Sequence, residues 1–254
     1  MIILFVIRLG FGIYKGTTTK LTPLHISNNR ITNPYTIVFI SDIHVDSIRN
    51  QKYIQSIVNK INKIKPDFVL LGGDLMNTAK SSYVDAFLPF NQLDIPIYAT
   101  LGNHDHMGNS GSISQIFEKT NIIALRNQSI EISGLQIVGI DDKSYRGNKK
   151  LDDILQESKI SDNGSYTILI SHQPQKLIKL SGHPIHLELA GHTHNGQFIP
   201  FSWIIGLFND YAYGKYNYND MTAFVSQGIG SRGAPIRIGT QSELVIISLT
   251  PKTK

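Results

Sequence analysis

The segment TIVFISDIH, residues 36–44, is a short apolar run that ends in an aspartate and a histidine. Its β-branched residues predict a buried β-strand, with Asp42 and His44 standing directly after it. Farther along, apolar residues recur at helical spacing until the sequence KPD ends the pattern, at Ile54, Ile57, Val58, Ile61 and Ile64. A buried strand followed by an amphipathic helix is typical of an α/β protein.

The alternation of strands and helices continues through the rest of the chain. Further strands are predicted by DFVLLG, IPIYATLG, NIIALRN, SIEIS, LQIVGIDD, YTILIS, IHLELAG, MTAFVSQ and ELVIISLT. Apolar spacing predicts helices around residues 84–88 and 113–117, and another over residues 151–158. Roughly nine or ten strands are too many for one doubly wound sheet, so two packed sheets with helices outside them fit better.

Five of the predicted strands end in residues that can bind a metal ion. These residues are Asp42, His44, Asp74, Asn103, His104, Asp105, His172, His192 and His194. Sites in α/β sheets assemble at the carboxyl ends of strands, so we expect these side chains to converge. The other four histidines lack this placement and are interpreted as ordinary surface or core residues, namely His25, His106, His183 and His186.

The residue types indicate which chemistry the site can perform. The 254-residue chain has no cysteine, so any metal must be held by nitrogen and oxygen ligands. Such ligands suit a borderline divalent ion such as Mn, Fe, Zn or Co. The candidate ligands are more numerous than the ligands that one tetrahedral ion binds, so we expect two ions that share a bridging carboxylate. Two ions roughly 3.5–4 Å apart form the clamp used in phosphate ester hydrolysis.

The segment GHTHNG, residues 191–196, places two histidines one residue apart. Side chains alternate in direction along an extended segment, so His192 and His194 are expected to point the same way. Each could then serve one of two neighbouring ions. We expect Gly191 and Gly196 to keep other side chains from crowding the metals.

The motifs SDIH, GGDLMN, GNHD, SH and GHTH, in this order over about residues 36–249, resemble the calcineurin-like metallophosphoesterases. The resemblance implies a four-layer α-β-β-α sandwich of two mixed sheets with a dinuclear metal centre. It assigns Asp42, His44 and His194 to the first ion, and Asn103, His172 and His192 to the second. It assigns Asp74 as the bridging ligand. It also implies that His104 contacts the phosphate and that Asp105 orients His104.

A narrower resemblance concerns the C-terminal third, where GHTHNGQF, VSQGIGSRGAPIRIG and SELVIISL resemble a membrane-associated bacterial subgroup. That subgroup includes phosphodiesterases of the cell envelope and pyrophosphatases of UDP-2,3-diacylglucosamine in lipid A synthesis. Arg232 and Arg237 could bind a second phosphate through bidentate hydrogen bonds. The sequence departs from the subgroup at Asn77, Asn195 and Gln227, close to where a substrate would bind.

The first 14 residues, MIILFVIRLGFGIY, are largely apolar. Three interpretations remain open: an interfacial anchor, the end of a longer spanning helix, or a buried first element of the fold. We divide the chain into a membrane-associating segment, residues 1–20, and a catalytic domain, residues 21–254. Lys15 and Lys20 follow the apolar run, which favours the cytoplasmic face of a bacterial inner membrane.

The expected function is hydrolysis of a phosphodiester or pyrophosphate bond, in a lipid-linked or cell-envelope substrate such as UDP-2,3-diacylglucosamine. The alternatives are a soluble phosphodiesterase for cyclic nucleotides or other small molecules, and a scaffold that keeps the fold without catalysis. The net charge of +5 suits an anionic substrate or membrane. The basic residues are scattered, so no nucleic-acid partner is expected.

Overall fold

The computed structural model describes residues 2–252, and these residues form two six-stranded sheets. The strands are β1 Lys20–Asn28, β2 Tyr35–Ile40, β3 Phe68–Gly72, β4 Ile97–Thr100, β5 Ile122–Ala124, β6 Gln128–Ile132, β7 Leu135–Ile140, β8 Tyr166–Ser171, β9 Leu187–Ala190, β10 Gly214–Tyr218, β11 Met221–Val225 and β12 Glu243–Pro251. The α-helices are α1 Ile2–Thr17, α2 Gln51–Ile64, α3 Ser110–Lys119, α4 Leu151–Glu157, α5 Leu177–Leu180 and α6 Phe201–Phe208. Short 3₁₀ helices span Ser81–Gln92, His104–His106 and His194–Gly196.

Both sheets are mixed. The first has the order β1-β12-β2-β3-β4-β5, with β2 to β5 parallel and β12 antiparallel to β2. The second has the order β10-β11-β9-β8-β7-β6, with a parallel centre and an antiparallel strand at each edge. The parallel centres place the carboxyl ends of several strands along one edge of each sheet.

The two sheets pack face to face, and helices cover their outer faces. Along β2, Ile37 and Phe39 face the second sheet, whereas Val38 and Ile40 pack against α2 and the Ser81–Gln92 helix. Both faces of such a strand are buried, which explains its continuous apolar sequence. A third apolar cluster lies between the second sheet and helices α4 and α5. The expected four-layer α-β-β-α sandwich is therefore confirmed.

Strands β1 and β10 and helices α5 and α6 were not predicted from the sequence, and one predicted helix is of another type. β1 contains Pro23, which lacks an amide donor but is tolerated because β1 lies at the edge of its sheet. β10, with the sequence GKYNY, is mostly exposed and carries no buried apolar run. The helix predicted around residues 84–88 is a 3₁₀ helix, in which Pro89 removes an α-helical hydrogen bond.

The first and last strands of the chain are neighbours. β12 lies between β1 and β2 and runs parallel to β1 over nine residue pairs. The buried carboxylate of Glu243 accepts hydrogen bonds from the Thr22 hydroxyl at 2.8 Å, the Ser226 hydroxyl at 3.0 Å and the Gln227 amide at 2.7 Å. This carboxylate therefore joins the first strand and the last strand to the segment that follows β11.

Helix α1 lies on the surface of the domain. Its backbone packs closely against residues 235–238, and the Gly12 carbonyl accepts a hydrogen bond of 2.9 Å from the Arg237 amide. Seven of its large apolar side chains are exposed, namely Ile3, Leu4, Val6, Ile7, Phe11, Ile13 and Tyr14. The interpretation of this segment as a buried first element is therefore wrong. Among residues 2–252, no helix is long and apolar enough to cross a membrane.

The second sheet contains a carboxyl group that should make stability depend on pH. Glu188 is fully buried; its Oε1 accepts hydrogen bonds from the Ser171 hydroxyl and the Gln175 amide, and its Oε2 has no partner. Burial raises the pKa of Glu188 to about 7, from 4.5. The folded state thus holds this proton more tightly than the unfolded state, so the stabilisation present below pH 4.5 is lost as the pH rises through 7.

We therefore expect Glu188→Gln, which mimics the protonated acid, to weaken the pH dependence of stability. In the wild-type protein this group should lower the free energy of unfolding by about 3 kcal/mol between pH 4.5 and pH 8. Urea unfolding at both pH values measures the effect, with the exposed Glu118→Gln as the control. An equal pH dependence in Glu188→Gln and the wild type would contradict the assignment.

Candidate metal centre

The candidate ligands lie in loops where strands of both sheets end. The loops after β2 and β3 remain paired beyond the strands, because the Asp42 amide donates to the Gly73 carbonyl at 3.0 Å and the His44 amide to the Asp74 carbonyl at 2.9 Å. The second sheet contributes the loops after β8 and β9. The structure brings together all seven predicted ligands, namely Asp42, His44, Asp74, Asn103, His172, His192 and His194.

One group of three ligands consists of Asp42, His44 and His194. Their ligand atoms all lie within 4.8 Å of one another, and all three residues are buried. The Nε2 atoms of His44 and His194 are 3.0 Å apart, and His194 Nε2 lies 3.6 Å from Asp42 Oδ1. This set is the one expected for the first ion.

A second group consists of Asp74, His172 and His192, again with ligand atoms within 4.8 Å of one another. His192 Nδ1 lies 3.2 Å from His172 Nε2. The Oδ1 atom of Asn103 is 3.2 Å from the same His172 nitrogen. Asn103 therefore completes the set expected for the second ion.

The Asp74 carboxylate lies between the two groups. Its Oδ2 is 3.2 Å from His172 Nε2 in the second group and 3.6 Å from His44 Nε2 in the first. Burial opposes the charge of this carboxylate, but the imidazoles of His172 and His44 outweigh burial and hold the pKa of Asp74 well below its usual range. An ionised carboxylate in contact with both groups has the position and charge that a bridging ligand requires.

Three of the four candidate histidine ligands are held neutral, whereas the carboxylate of Asp74 outweighs burial at His172 and raises its pKa to about 10. Burial lowers the pKa of His44 to about 3 and that of His192 to about 4, and it holds the pKa of His194 well below its ordinary value. Neutral imidazoles present a nitrogen lone pair, which is the form that binds metals. Lone pairs that face one another beside two carboxylates fit a pair of divalent cations.

Five of the seven candidate ligands have a backbone in the left-handed region. Their φ values lie between 48° and 71°, at Asp42, His44, Asp74, His192 and His194. Such a conformation costs about 1–3 kcal/mol for a residue other than glycine and concentrates at functional sites. The expectation that residues 191–196 are extended is therefore wrong, because left-handed residues coil this segment and bring both imidazoles to the centre.

The two glycines of this segment have different roles. A Cβ atom at Gly191 would lie 2.3 Å from Asp42 Oδ2 and 2.5 Å from Ser41 Oγ, so this glycine protects a candidate ligand as expected. A Cβ atom at Gly196 would instead lie 2.5 Å from the backbone of Phe201 and Ser202. Gly196 thus makes room for the start of α6, and it also lines the cleft over the candidate ligands.

We expect Gly191→Ala to displace the Asp42 carboxylate and weaken binding of the first ion. The loss should be roughly 10- to 100-fold in metal affinity, as found when the support of a ligand is removed. Calorimetric titration with Mn measures it. Gly182→Ala is the matched control, because a Cβ atom there meets nothing within 4 Å. Unchanged affinity in Gly191→Ala would show that Asp42 is not a ligand.

His104 lies at the edge of the two groups and lines the cleft above them. Its backbone amide donates a hydrogen bond of 2.9 Å to Asp74 Oδ1. Its Nδ1 lies 2.8 Å from the carbonyl oxygen of Asn77, which can only accept, so the proton is on Nδ1. This bond fixes the orientation of the ring and leaves Nε2 for a substrate.

Asp105 does not orient His104, contrary to the expectation from the sequence. Its fully buried carboxylate accepts hydrogen bonds from the Met76 amide at 3.0 Å and the Gly102 amide at 2.9 Å. It therefore joins the loops after β3 and β4 and has no direct access to a substrate. The Asn77 carbonyl performs the orienting role, and a backbone acceptor leaves no signal in the residue types.

Arg237 does not fit its expected role as a phosphate ligand. It is fully buried, and its Nη2 donates to the carbonyls of Gln227 at 2.7 Å and Gly230 at 2.6 Å, beside His194 Nδ1 at 3.2 Å. The guanidinium thus supports the loop behind a candidate ligand. Arg232 is exposed and lines the cleft, so it remains the proposed phosphate contact.

A cleft of about 500 Å³ lies over the candidate ligands. One wall contains His104 and several of the candidate ligands. Another part of the wall is apolar and comes from α6, through Phe201, Ile204 and Ile205. This helix was not predicted from the sequence, although the largely apolar run FSWIIGLF was a signal for it.

Residues 35–196 match the family described as calcineurin-like phosphoesterase. The chain belongs to this family. It is a metallophosphoesterase, a hydrolase of phosphate esters, with candidate ligand groups for a dinuclear metal centre.

Relatives of this metallophosphoesterase occur in bacteria and animals. An uncharacterized metallophosphoesterase of Helicobacter pylori is 30% identical over 251 residues, covering 96% of this chain and 67% of the relative. A Danio rerio protein described as a transmembrane protein with metallophosphoesterase domain is 31% identical, covering 85% of this chain and 53% of the relative. The chain thus spans about two thirds and about half of these relatives. The structure of Haemophilus influenzae NAD nucleotidase has a similar fold, with a TM-score of 0.52 and 17% identity over 79% of this chain and 46% of that one.

Proposed function

We propose that this metallophosphoesterase hydrolyses a phosphodiester or pyrophosphate bond of a lipid-linked substrate. The observation that carries the proposal is the cleft, which sets the candidate ligands beside an apolar wall from α6. The ligands suit a phosphate group and the apolar wall suits an aliphatic group attached to it. A UDP-diacylglucosamine is one substrate with both features. Residues 21–254 would form the catalytic domain and residues 1–20 the membrane-associating segment.

The proposed roles follow from the geometry of the side chains. When bound, two divalent ions, proposed to be Mn, Fe or Zn, supply charge stabilisation for the phosphoryl oxygens and lower the pKa of water. Asp74 holds the two ligand groups together through its position between them. His104, with its ring fixed by the Asn77 carbonyl, stabilises charge at the phosphate or, when doubly protonated, donates the Nε2 proton to the leaving oxygen. Arg232 binds a second phosphate oxygen at the edge of the cleft.

A substrate panel tests the proposal with purified protein and Mn. We expect hydrolysis of bis-p-nitrophenyl phosphate, and a much higher kcat/KM for UDP-diacylglucosamine than for a deacylated analogue. Cyclic AMP and p-nitrophenyl phosphate complete the panel. Preference for cyclic AMP or for the deacylated analogue would favour the alternative, a soluble small-molecule phosphodiesterase. Absence of all hydrolysis by metal-loaded protein would favour a scaffold, against which the complete ligand set argues.

Membrane association is part of the proposal. The exposed apolar side chains of α1 and the basic residues Arg8 and Lys15 support contact with an anionic bilayer at the cytoplasmic face of a bacterial inner membrane. Liposome flotation measures this contact. We expect the full chain to float with phosphatidylglycerol vesicles and a chain without residues 1–17 to stay at the bottom of the gradient. Equal behaviour of the two proteins would contradict the role of α1.

A further inference from the structure

Helix α6 is apolar on two sides. Phe201, Ile204 and Ile205 line the cleft. On the outer side, the exposed fraction is 69% for Trp203 and 82% for Leu207. The sequence of the helix, FSWIIGLF, has no charged residue. An exposed helix without charge at the opening of a polar site requires a partner that is itself apolar.

Exposed apolar side chains connect α6 with α1. Ile238 lies against Gly12 of α1, and its backbone pairs with the Gln197–Ile199 segment that leads into α6. Ile199 lies against the backbone of Gly239. The exposed fractions are 37% for Ile238 and 43% for Ile199. We call the surface formed by α1, Ile238, Ile199 and α6 the apolar stripe; it runs from the N-terminal helix to the opening of the cleft.

The charged residues of the segments that form the apolar stripe have one sign. The three segments that form it and its surroundings, residues 2–20, 191–208 and 226–241, contain no aspartate or glutamate. Their exposed basic residues include Arg8, Lys20 and Arg232. An apolar surface whose own charged residues are all basic complements an anionic bilayer, and the nearby acidic residue Asp210, two residues after α6, is paired with Lys176 at 3.5 Å. Trp203 is of the type enriched at the membrane interface.

We propose that the apolar stripe is the bilayer-contact surface, and that α6 inserts Trp203 and Leu207 at the interface so that the cleft opens onto the lipid. The substrate then reaches the ligand groups by moving along Phe201 and Ile204 without crossing water. This inference rests on the proposed function and extends it, because it assigns contact with the bilayer and access of the substrate to α6 as well as anchoring to α1.

Trp203 is the only tryptophan of the chain, so its fluorescence reports on α6 directly. We expect phosphatidylglycerol vesicles to shift the emission of the full-length, metal-loaded protein to shorter wavelength, and lipids with brominated acyl chains to quench it. Leu207→Gln should lower partition into the vesicles roughly 10-fold. It should keep the kcat for bis-p-nitrophenyl phosphate, because Leu207 does not line the cleft. The matched control is Ile178→Gln, on α5 and 64% exposed.

Two outcomes would overturn the inference and leave the proposed function standing. If the protein floats with vesicles while Trp203 emission stays unchanged, α1 alone contacts the bilayer. If the emission shifts with protein concentration in the absence of vesicles, and sedimentation shows a dimer, α6 is an interface between two copies. The proposed function has a separate test: if the wild-type protein hydrolyses UDP-diacylglucosamine no better than the deacylated analogue, the proposed function itself is contradicted.

Discussion

Asp74→Asn is expected to abolish binding of both metal ions and nearly all phosphoesterase activity. The Oδ2 atom of Asp74 lies 3.2 Å from His172 Nε2 and 3.6 Å from His44 Nε2, so one side chain serves both ligand groups. An amide has the same shape but carries no charge to hold two cations. We expect metal content to fall from about two ions per chain to fewer than one. We also expect kcat/KM to fall by about 10³ or more, which is a larger loss than removal of one charge-stabilising donor causes.

Elemental analysis after saturating reconstitution measures the metal content, and bis-p-nitrophenyl phosphate measures the activity. Asp85→Asn is the matched control, because Asp85 is exposed and pairs with Lys119 on the surface. If Asp74→Asn keeps two ions, the carboxylate does not bridge. Loss of one ion with retention of the other would assign Asp74 to a single group.

His104→Ala is expected to keep both ions and to lose about 10²–10⁴ in kcat, the range for loss of a general acid or a charge-stabilising donor. The ring lies beside the ligand groups, but its Nδ1 is engaged by the Asn77 carbonyl at 2.8 Å, so Nε2 is the nitrogen left for the substrate. The metal ligands themselves are untouched by the substitution. The substitution should therefore lower kcat and leave the affinity for the metal ions unchanged.

The leaving group separates the two roles of His104. If the ring donates a proton, the loss in kcat should be greater for phenyl than for p-nitrophenyl esters, because the better leaving group needs less protonation. An equal loss for both would indicate charge stabilisation. His25→Ala, on the exposed side of β1, is the control. A fall in metal content in His104→Ala would show that the role assigned here is wrong.

The sequence predicted the central strands well because both faces of each are buried. β2, β3 and β8 therefore read as continuous apolar runs, and the polar residues at their ends could be identified. β1 was missed because it is an edge strand that contains Pro23. β10 was missed because it is polar and mostly exposed. A local pattern of apolar residues reveals a strand only where its side chains are buried. β1 and β10 form instead because they pair with neighbouring strands, and that pairing leaves no such pattern.

The candidate ligands were found from their types and spacing, and the structure brings them together, while their roles stay predictions. Asp105 and Arg237 were misjudged for a physical reason. A sequence gives the position of a residue along the chain but not the direction of its side chain. Asp105 neighbours His104 yet turns toward two backbone amides, and Arg237 lies in a glycine-rich loop yet is fully buried.

The pairing of β1 with β12 has a consequence for how the protein is made. Synthesis proceeds from the N-terminus, so β1 leaves the ribosome long before its neighbour β12, and the first sheet stays incomplete until β12 emerges. Glu243, at the start of β12, also fixes the segment after β11. A nascent or prematurely terminated chain therefore carries every candidate metal ligand on an unfinished scaffold, with the edge of β2 that pairs with β12 open to aggregation or to chaperones.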